Sequence, residues 1–268
     1  MKQKNKIALL MMLLAVASML VQSCGKDNLK YPSSKITGRF TYQGKPVKLQ
    51  FSNPDIIGTA GTTTAAMLWQ QKTGTQAAYA VGEVSVYAKH DGSFAGEFFD
   101  GDYAARTQGG KVPFEDFTNK PFTVKGDTDF GSVEVVPYWW MDNLVTTYTG
   151  GVFTATFNLT KPSTNTARTL QYVAIFLSPN NTPDIQSATQ GASRTFNAGT
   201  NSGGIIVPAA ASAGGAVTVK IDLNTLTAGE KQFLRAFGNS SNIWASVAVK
   251  TTSVTDNLYS DAIPLQLP

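Results

Sequence analysis

The sequence predicts an all-β protein built as two consecutive β-sandwich domains, and three observations predict it. Short segments of β-branched and aromatic residues repeat with a period of two. Turn pairs such as Asp-Gly and Gly-Asp interrupt them roughly every eight to twelve positions, and a single segment carries helix signals. A chain of 268 residues has room for two domains of ordinary size, each with its own core.

The elements follow in order. Ile36, Gly38, Phe40 and Tyr42 alternate with Thr37, Arg39 and Thr41, as a half-buried strand requires. The turn "QGKP" closes it before Val47, Leu49 and Phe51 resume the alternation. A Thr- and Ala-rich stretch, 58–82, carries one apolar strand at 67–70. Asp91-Gly92 and Asp100-Gly101 are hairpin turn pairs, and the spacing of Phe94 and Phe98 puts both on one face of the strand between them. Strands at 122–125 and 132–136 flank a turn at Gly126-Asp127. Pro137 ends the first unit, and the boundary is expected over 137–150.

The second unit opens with Phe153, Ala155, Phe157 and Leu159 on one strand face. Residues 170–177 are apolar on both faces, as a central sandwich strand is, and Val217, Val219, Ile221 and Leu223 alternate with polar residues. Between them the small-residue region "GASRTFNAGTNSGGIIVPAAASAGG" is expected as loops around a weak strand at 205–207. The helix follows. Thr227 and Glu230 have capping-box spacing, Phe233, Leu234 and Phe237 fall on one side, and Gly238 suits the stop. Strands at 243–250 and 262–267 finish the chain.

The N-terminus reads as a targeting device. Lys2, Lys4 and Lys6 precede an uncharged run, 7–23, whose apolar part is short of the roughly 20 residues of a spanning helix. These three lysines also account for most of the net charge of +4, since the other basic residues number 19 against 18 acids. Such a balance argues against a nucleic-acid binder. Cys24 is the only cysteine, so it has no internal disulfide partner. "Val21-Gln22-Ser23-Cys24" resembles a bacterial lipobox, and the resemblance implies cleavage before Cys24 and a diacylglycerol on its thiol. Gln22 departs from the small residue usual at its position. The expected organisation is a lipoprotein signal peptide at 1–23, a lipidated tether at 24–34, and sandwiches at 35–137 and 138–268. "Cys24-Gly25-Lys26-Asp27" is similar in part to the export signal of surface lipoproteins, implying an outer-membrane protein exposed at the cell surface.

Across the mature chain, "ITGRFTYQGKPV", "VYAKHDGSF", "FFDGDY", "TVKGDT" and "VEVVPYW", then more loosely "FTATFNL" and "IWASVAVKT…LYSDAIPL", resemble a Bacteroidota family of two-domain lipoproteins of unknown function. Its members are often encoded beside a SusC- and SusD-like outer-membrane pair for glycan uptake. The first unit resembles a carboxypeptidase-regulatory or transthyretin-like sandwich, the second a fibronectin-III or immunoglobulin-type one. The resemblance implies polysaccharide and SusC/SusD-like proteins as partners; the lipid on Cys24 adds a membrane contact, and no cofactor is expected. The stretch 58–82 is longer than that pattern expects.

No enzymatic site is expected. His90, the only histidine, lies beside a turn where an exposed side chain is expected, and no serine has a nucleophile motif around it. Asp100/Asp102, Glu115/Asp116 and Asp127/Asp129 are pairs on turns, where Asp serves the backbone. Asp127 and Asp129 form the best calcium candidate, although an oxygen cage needs further ligands. For a saccharide, the four tryptophans are the candidates, because sugar rings pack on aromatic surface. Trp244 lies opposite the apolar face of Ile243, Ala245, Val247 and Val249, facing either solvent or a second core. Trp139 and Trp140 follow Tyr138 at the junction, where interdomain packing competes with binding. Trp69 is either a core anchor or, with Gln70 and Gln71, a sugar contact. The expected function is a non-catalytic accessory in glycan binding and uptake. The alternative is a fimbrillin-like structural or adhesive subunit, which requires a cleavable basic residue in an early strand such as Arg39.

Overall fold

The computed structural model describes residues 31–50, 67–71, 83–183, 214–235 and 242–268. Cys24, Phe51, Phe237, Gly238 and the strand expected at 205–207 lie outside them.

Among the described residues the fold is all-β with one short α-helix. In the first half, β1 (Ser34–Tyr42) is the central strand of one sheet. It pairs antiparallel with β2 (Lys45–Pro46) and β5 (Ser93–Phe98), and parallel with β8 (Thr128–Glu134). The second sheet runs β4 (Val84–Val86), β3 (Met67–Gln71), β6 (Gly101–Arg106), β7 (Lys120–Val124). The alternation that predicted β1 is its burial pattern: Ile36 and Phe40 are fully buried while Thr37 and Arg39 face out. Phe94 and Phe98 share the inner face as expected. Trp69 crosses the gap, stacked on Phe122 at 4.5 Å within its own sheet and 5.0 Å from Phe98 of the other.

One of the two turn pairs expected to close hairpins does not do so. Asp91-Gly92 does close a hairpin, with the Gly92 amide donating to the Lys89 carbonyl. Asp100-Gly101 instead carries the chain from β5 in one sheet to β6 in the other. Gly126-Asp127 likewise passes from β7 to β8 between sheets. The local turn chemistry is the same, and only the sheets packed around it decide which edge the next strand joins.

In the second half, one sheet is β12 (Gly215–Asp222), β10 (Val152–Thr160) and β9 (Trp140–Thr149). The other centres on β13 (Asn242–Thr251), paired with β11 (Leu170–Ser178), β14 (Asn257–Tyr259) and β15 (Ile263–Gln266). Phe153, Ala155, Phe157 and Leu159 are buried opposite Ile221, Val219 and Val217 in register. β11 and β13 are covered on both faces: Val173, Ile175, Val247 and Val249 on one, Ala174, Phe176 and Ala248 on the other. The stretch 137–150, expected as a boundary, contains β9, a ten-residue strand. Its inward positions after Trp140 are only partly buried and its outward ones are Asn143, Val145, Thr147 and Thr149, so no clean apolar-polar alternation marked it. Gly150 and Gly151, both at positive φ (58° and 82°), join β9 to β10 by a two-residue turn, as a type I′ hairpin demands.

The capping box forms. The Thr227 hydroxyl accepts from the Glu230 amide and the Glu230 carboxylate accepts from the Thr227 amide at 2.7 Å, opening α1 (Ala228–Arg235). Leu234 is its buried anchor.

Residues Ser33–Pro268 form one compact unit, and the two pairs of sheets within it are stitched together by main chain. The Tyr259 amide donates to the Lys48 carbonyl, and the amides of Thr255 and Asp256 donate to the carbonyls of Gly110 and Lys111. The Asp256 carboxylate accepts from the Gln50 amide.

Candidate functional site

The segment Val47–Gln50 carries the junction. Val47 and Leu49 are anchored in the core, which turns the intervening Lys48 toward β14, where its backbone bridges Tyr259. On the other side Trp140 starts β9, with its ring edge-on to Tyr42 at 5.3 Å. Between them lies a recess of about 240 Å³, with Trp140, Met141, Leu144 and Tyr259 among its apolar lining. Lys45, Lys48, Ser260 and Asp261 supply its polar groups.

Two ion pairs frame this recess, and they are asymmetric in opposite senses. Lys45 Nζ lies 3.1 Å from Asp142 Oδ1, and the lysine side chain is 60% exposed against 27% for the acid. Asp142 is held in place by the Trp140 Nε1–H, which donates to the same oxygen at 3.0 Å. Lys48 Nζ lies 2.6 Å from Asp261 Oδ1, and here the lysine is 20% exposed and the acid 80%. One fixed carboxylate and one fixed ammonium are therefore each met by a countercharge out in solvent. The solvent-side members, Lys45 and Asp261, keep most of their hydration while paired, so they are the ones easily exchanged.

A second depression, of about 420 Å³, lies on the outer face of β5, β1 and β8. It is lined by Arg39, Lys89, Asp129 and small residues including Ser93, Gly131 and Ser132. Arg39 is tied to Asp91 at 3.2 Å. It is shallow and lacks an aromatic wall apart from Phe94, which is buried.

The sequence's candidates are distributed unequally. Trp69 and Trp139 are fully buried, the first in the aromatic stack and the second with Lys161 Nζ 5.8 Å from its ring. Trp244 is half-buried on β13, in register between Ser178 and Pro264. Trp140 is the tryptophan that borders the recess. Asp127 accepts from the Lys35 amide, and Asp129 from the Thr37 hydroxyl and the Gly131 amide. Among the described residues, no group of three or more His, Cys, Asp and Glu gathers to hold a metal ion.

The expectation for His90 is corrected. Its side chain is 9% exposed and its ring packs 5.4 Å from that of Tyr259. The second pair of sheets covers the turn that local sequence leaves open.

Sequence reasoning did not single out Lys48, Leu144, Tyr259 or Asp261. Lys48 directly follows "QGKPV" and Tyr259 and Asp261 stand in "LYSDAIPL", and these two segments, far apart in the chain, meet at this recess, whereas nothing in the sequence marked Leu144. Comparison with known proteins bears on the first of these segments.

Residues 34–136 match the family model described as "Protein of unknown function (DUF3823) N-terminal domain". The DUF3823 match takes in β1 to β8, and with them Lys45 and Lys48. Solved structures with a similar fold include two DUF3823 family proteins. One, from Parabacteroides merdae ATCC 43184, is 24% identical with a TM-score of 0.62. The other, from Bacteroides ovatus ATCC 8483, is 22% identical with a TM-score of 0.59. A third, described as a "putative carbohydrate binding protein" from Bacteroides uniformis ATCC 8492, is 19% identical with a TM-score of 0.63. In each case the match covers 88% of this chain and 100% of the other. No curated protein matches the chain.

Proposed function

We propose that this chain is a lipid-anchored, surface-exposed member of the DUF3823 family that binds a saccharide without chemistry, as an accessory to a SusC/SusD-like uptake pair. The recess between the two pairs of sheets carries the reading. It combines an apolar lining that includes aromatic residues with charged and hydroxyl groups at its border, the composition of a small-ligand site. At about 240 Å³ it is slightly below the usual range of ligand pockets, about 300–1,000 Å³. That size fits one or two rings of a longer polymer passing over the surface. The carbohydrate-binding description of the Bacteroides uniformis protein, which shares the fold, supports the same reading. Anchorage rests on the order of charge, apolar run and Cys24 in the sequence, and two acyl chains are enough for stable attachment.

The test is a polysaccharide array probed with the purified full chain. Leu144→Glu, which puts a longer, negatively charged side chain at the recess, is expected to abolish retention, whereas Trp244→Ala, outside it, leaves retention unchanged. Loss with Trp244→Ala and none with Leu144→Glu moves the site to β13. Release of reducing sugar from any array member would make the protein an enzyme. Palmitate labelling that survives Cys24→Ala removes the anchor from the proposal.

The fimbrillin-like alternative requires proteolysis in an early strand. Arg39 lies in the middle of β1, paired on both sides and ion-paired to Asp91, so a protease would have to break the central strand of a sheet to reach it.

A further inference from the structure

We infer that the saccharide taken by the recess is acidic, and that its carboxylate binds Lys48 by displacing Asp261. The inference rests on the saccharide reading above. Lys48 is fixed at both levels: its carbonyl accepts from the Tyr259 amide, and its neighbours Val47 and Leu49 are buried. Its ammonium, on a side chain only 20% exposed, is therefore delivered to the recess wall whether or not a ligand is present.

Its partner is built in the opposite way. The backbone before Asp261 is held by Ser260, whose hydroxyl accepts from the Val247 amide and donates to the Asp261 carbonyl. The Asp261 carboxylate itself projects into water, 80% exposed. Among the described residues this ion pair is the one contact recorded for the Asp261 carboxylate, and its own exposure lets water replace the lysine at little cost when it turns away. An incoming sugar carboxylate can then take its place at about 2.7–2.9 Å with the same charge complement. Without that exchange the ligand would have to strip Lys48 of its partner and leave the cation partly desolvated, which a neutral sugar cannot repair. Asp142 forms the second ion pair beside the recess. It is anchored by Trp140 and paired to a lysine that is itself mostly in solvent, and it stands behind these two lining residues rather than in the lining itself. The more distant charge facing Lys48 is Asp91, at the Asp91-Gly92 turn.

The experiment uses affinity electrophoresis of the purified full chain in gels containing polygalacturonate, its fully methyl-esterified form, alginate, heparin or a neutral glucan. The ester keeps the polymer and removes the charge. Retention is expected on one or more acidic polymers and to fall with added salt. On that polymer, Lys48→Met, which keeps the aliphatic stem, is expected to weaken binding about tenfold. Asp261→Asn, a solvent-exposed change that leaves the fold intact, is expected to strengthen it. Equal retention on acid and ester, or retention on the neutral glucan alone, overturns this inference and leaves saccharide binding standing. Unchanged or weaker binding by Asp261→Asn overturns the displacement step. Absence of retention on every polymer overturns the saccharide reading itself.

Discussion

Gly92 holds φ at 78°, and a Cβ built there would run into the Val47 carbonyl oxygen. The Phe40 amide donates to the Gly92 carbonyl, and the Val47 amide to the Phe40 carbonyl. This glycine therefore fixes the segment that carries Lys48. Gly92→Ala is expected to destabilise the protein by about 1–3 kcal/mol, through backbone strain and displacement of Val47. A denaturant midpoint equal to that of the parent would show that the turn is not tied to the junction. The residue itself was readable in "DGSF", where Asp91 accepts from both the amide and the hydroxyl of Ser93. His90, one position earlier, was not. A turn residue is exposed by local rules, and only the arrival of Tyr259 over it makes it part of a core.

At the scale of elements, α1 shows local rules sufficing: Thr227 and Glu230 made the start of the helix visible, and the reciprocal hydrogen bonds are there. Thr227→Ala is expected to cost about 1 kcal/mol, read as a drop in thermal midpoint. An unchanged midpoint would mean that Leu234 alone seats the helix. The pairing of β1 with β8 is a different case. Its acids anchor neighbouring strands and turns, and three carboxyls are held below the ordinary 3.8. Asp129 is lowered by the Gly131 amide and the Thr37 hydroxyl, Asp100 by the Ser34 hydroxyl and the Gly126 amide. At Asp91 partial burial pushes upward, and the Ser93 hydrogen bonds with the charges of Arg39 and Lys48 outweigh it. A carboxyl whose folded pKa lies below its unfolded one stabilises the protein above the unfolded value, and this is lost as pH falls through the folded one. Stability is thus expected to fall below about pH 4, and Asp129→Asn to narrow the difference in thermal midpoint between neutral and acid pH. An identical acid loss in the variant would remove Asp129 from the account.

At the scale of the molecule, one hydrophobic cluster runs through both pairs of sheets, from Ile36 and Trp69 to Phe153 and Val247. Main-chain hydrogen bonds also cross between the pairs at Lys48, Gly110 and Lys111. Arg168 reinforces this, donating to the Ser253 carbonyl at 2.6 Å with its guanidinium 5.4 Å from the Tyr138 ring. Burial shared in this way couples the two halves, so a single calorimetric transition is expected for Ser33–Pro268. Two well-separated transitions would show that each pair of sheets melts alone. Tyr138, Trp139 and Trp140 show why the sequence left the junction open. Three consecutive aromatics cannot share one face of an extended chain, yet all three are buried here. They sit where two layers meet and cover both sides.

By itself the sequence determined the all-β class, most strands, the helix cap, and the charge, apolar run and Cys24 that mark the N-terminus. Each depends on neighbours within a few positions, through periodicity, turn preference or composition. The tertiary structure decided which sheet each strand joins, that 140–149 is an edge strand, and that Trp140 rather than Trp69 or Trp139 borders a recess. It also decided that Lys48 and Asp261, 213 positions apart, would stand 2.6 Å from each other. Such pairings are set by packing between distant segments, and no local spacing encodes them.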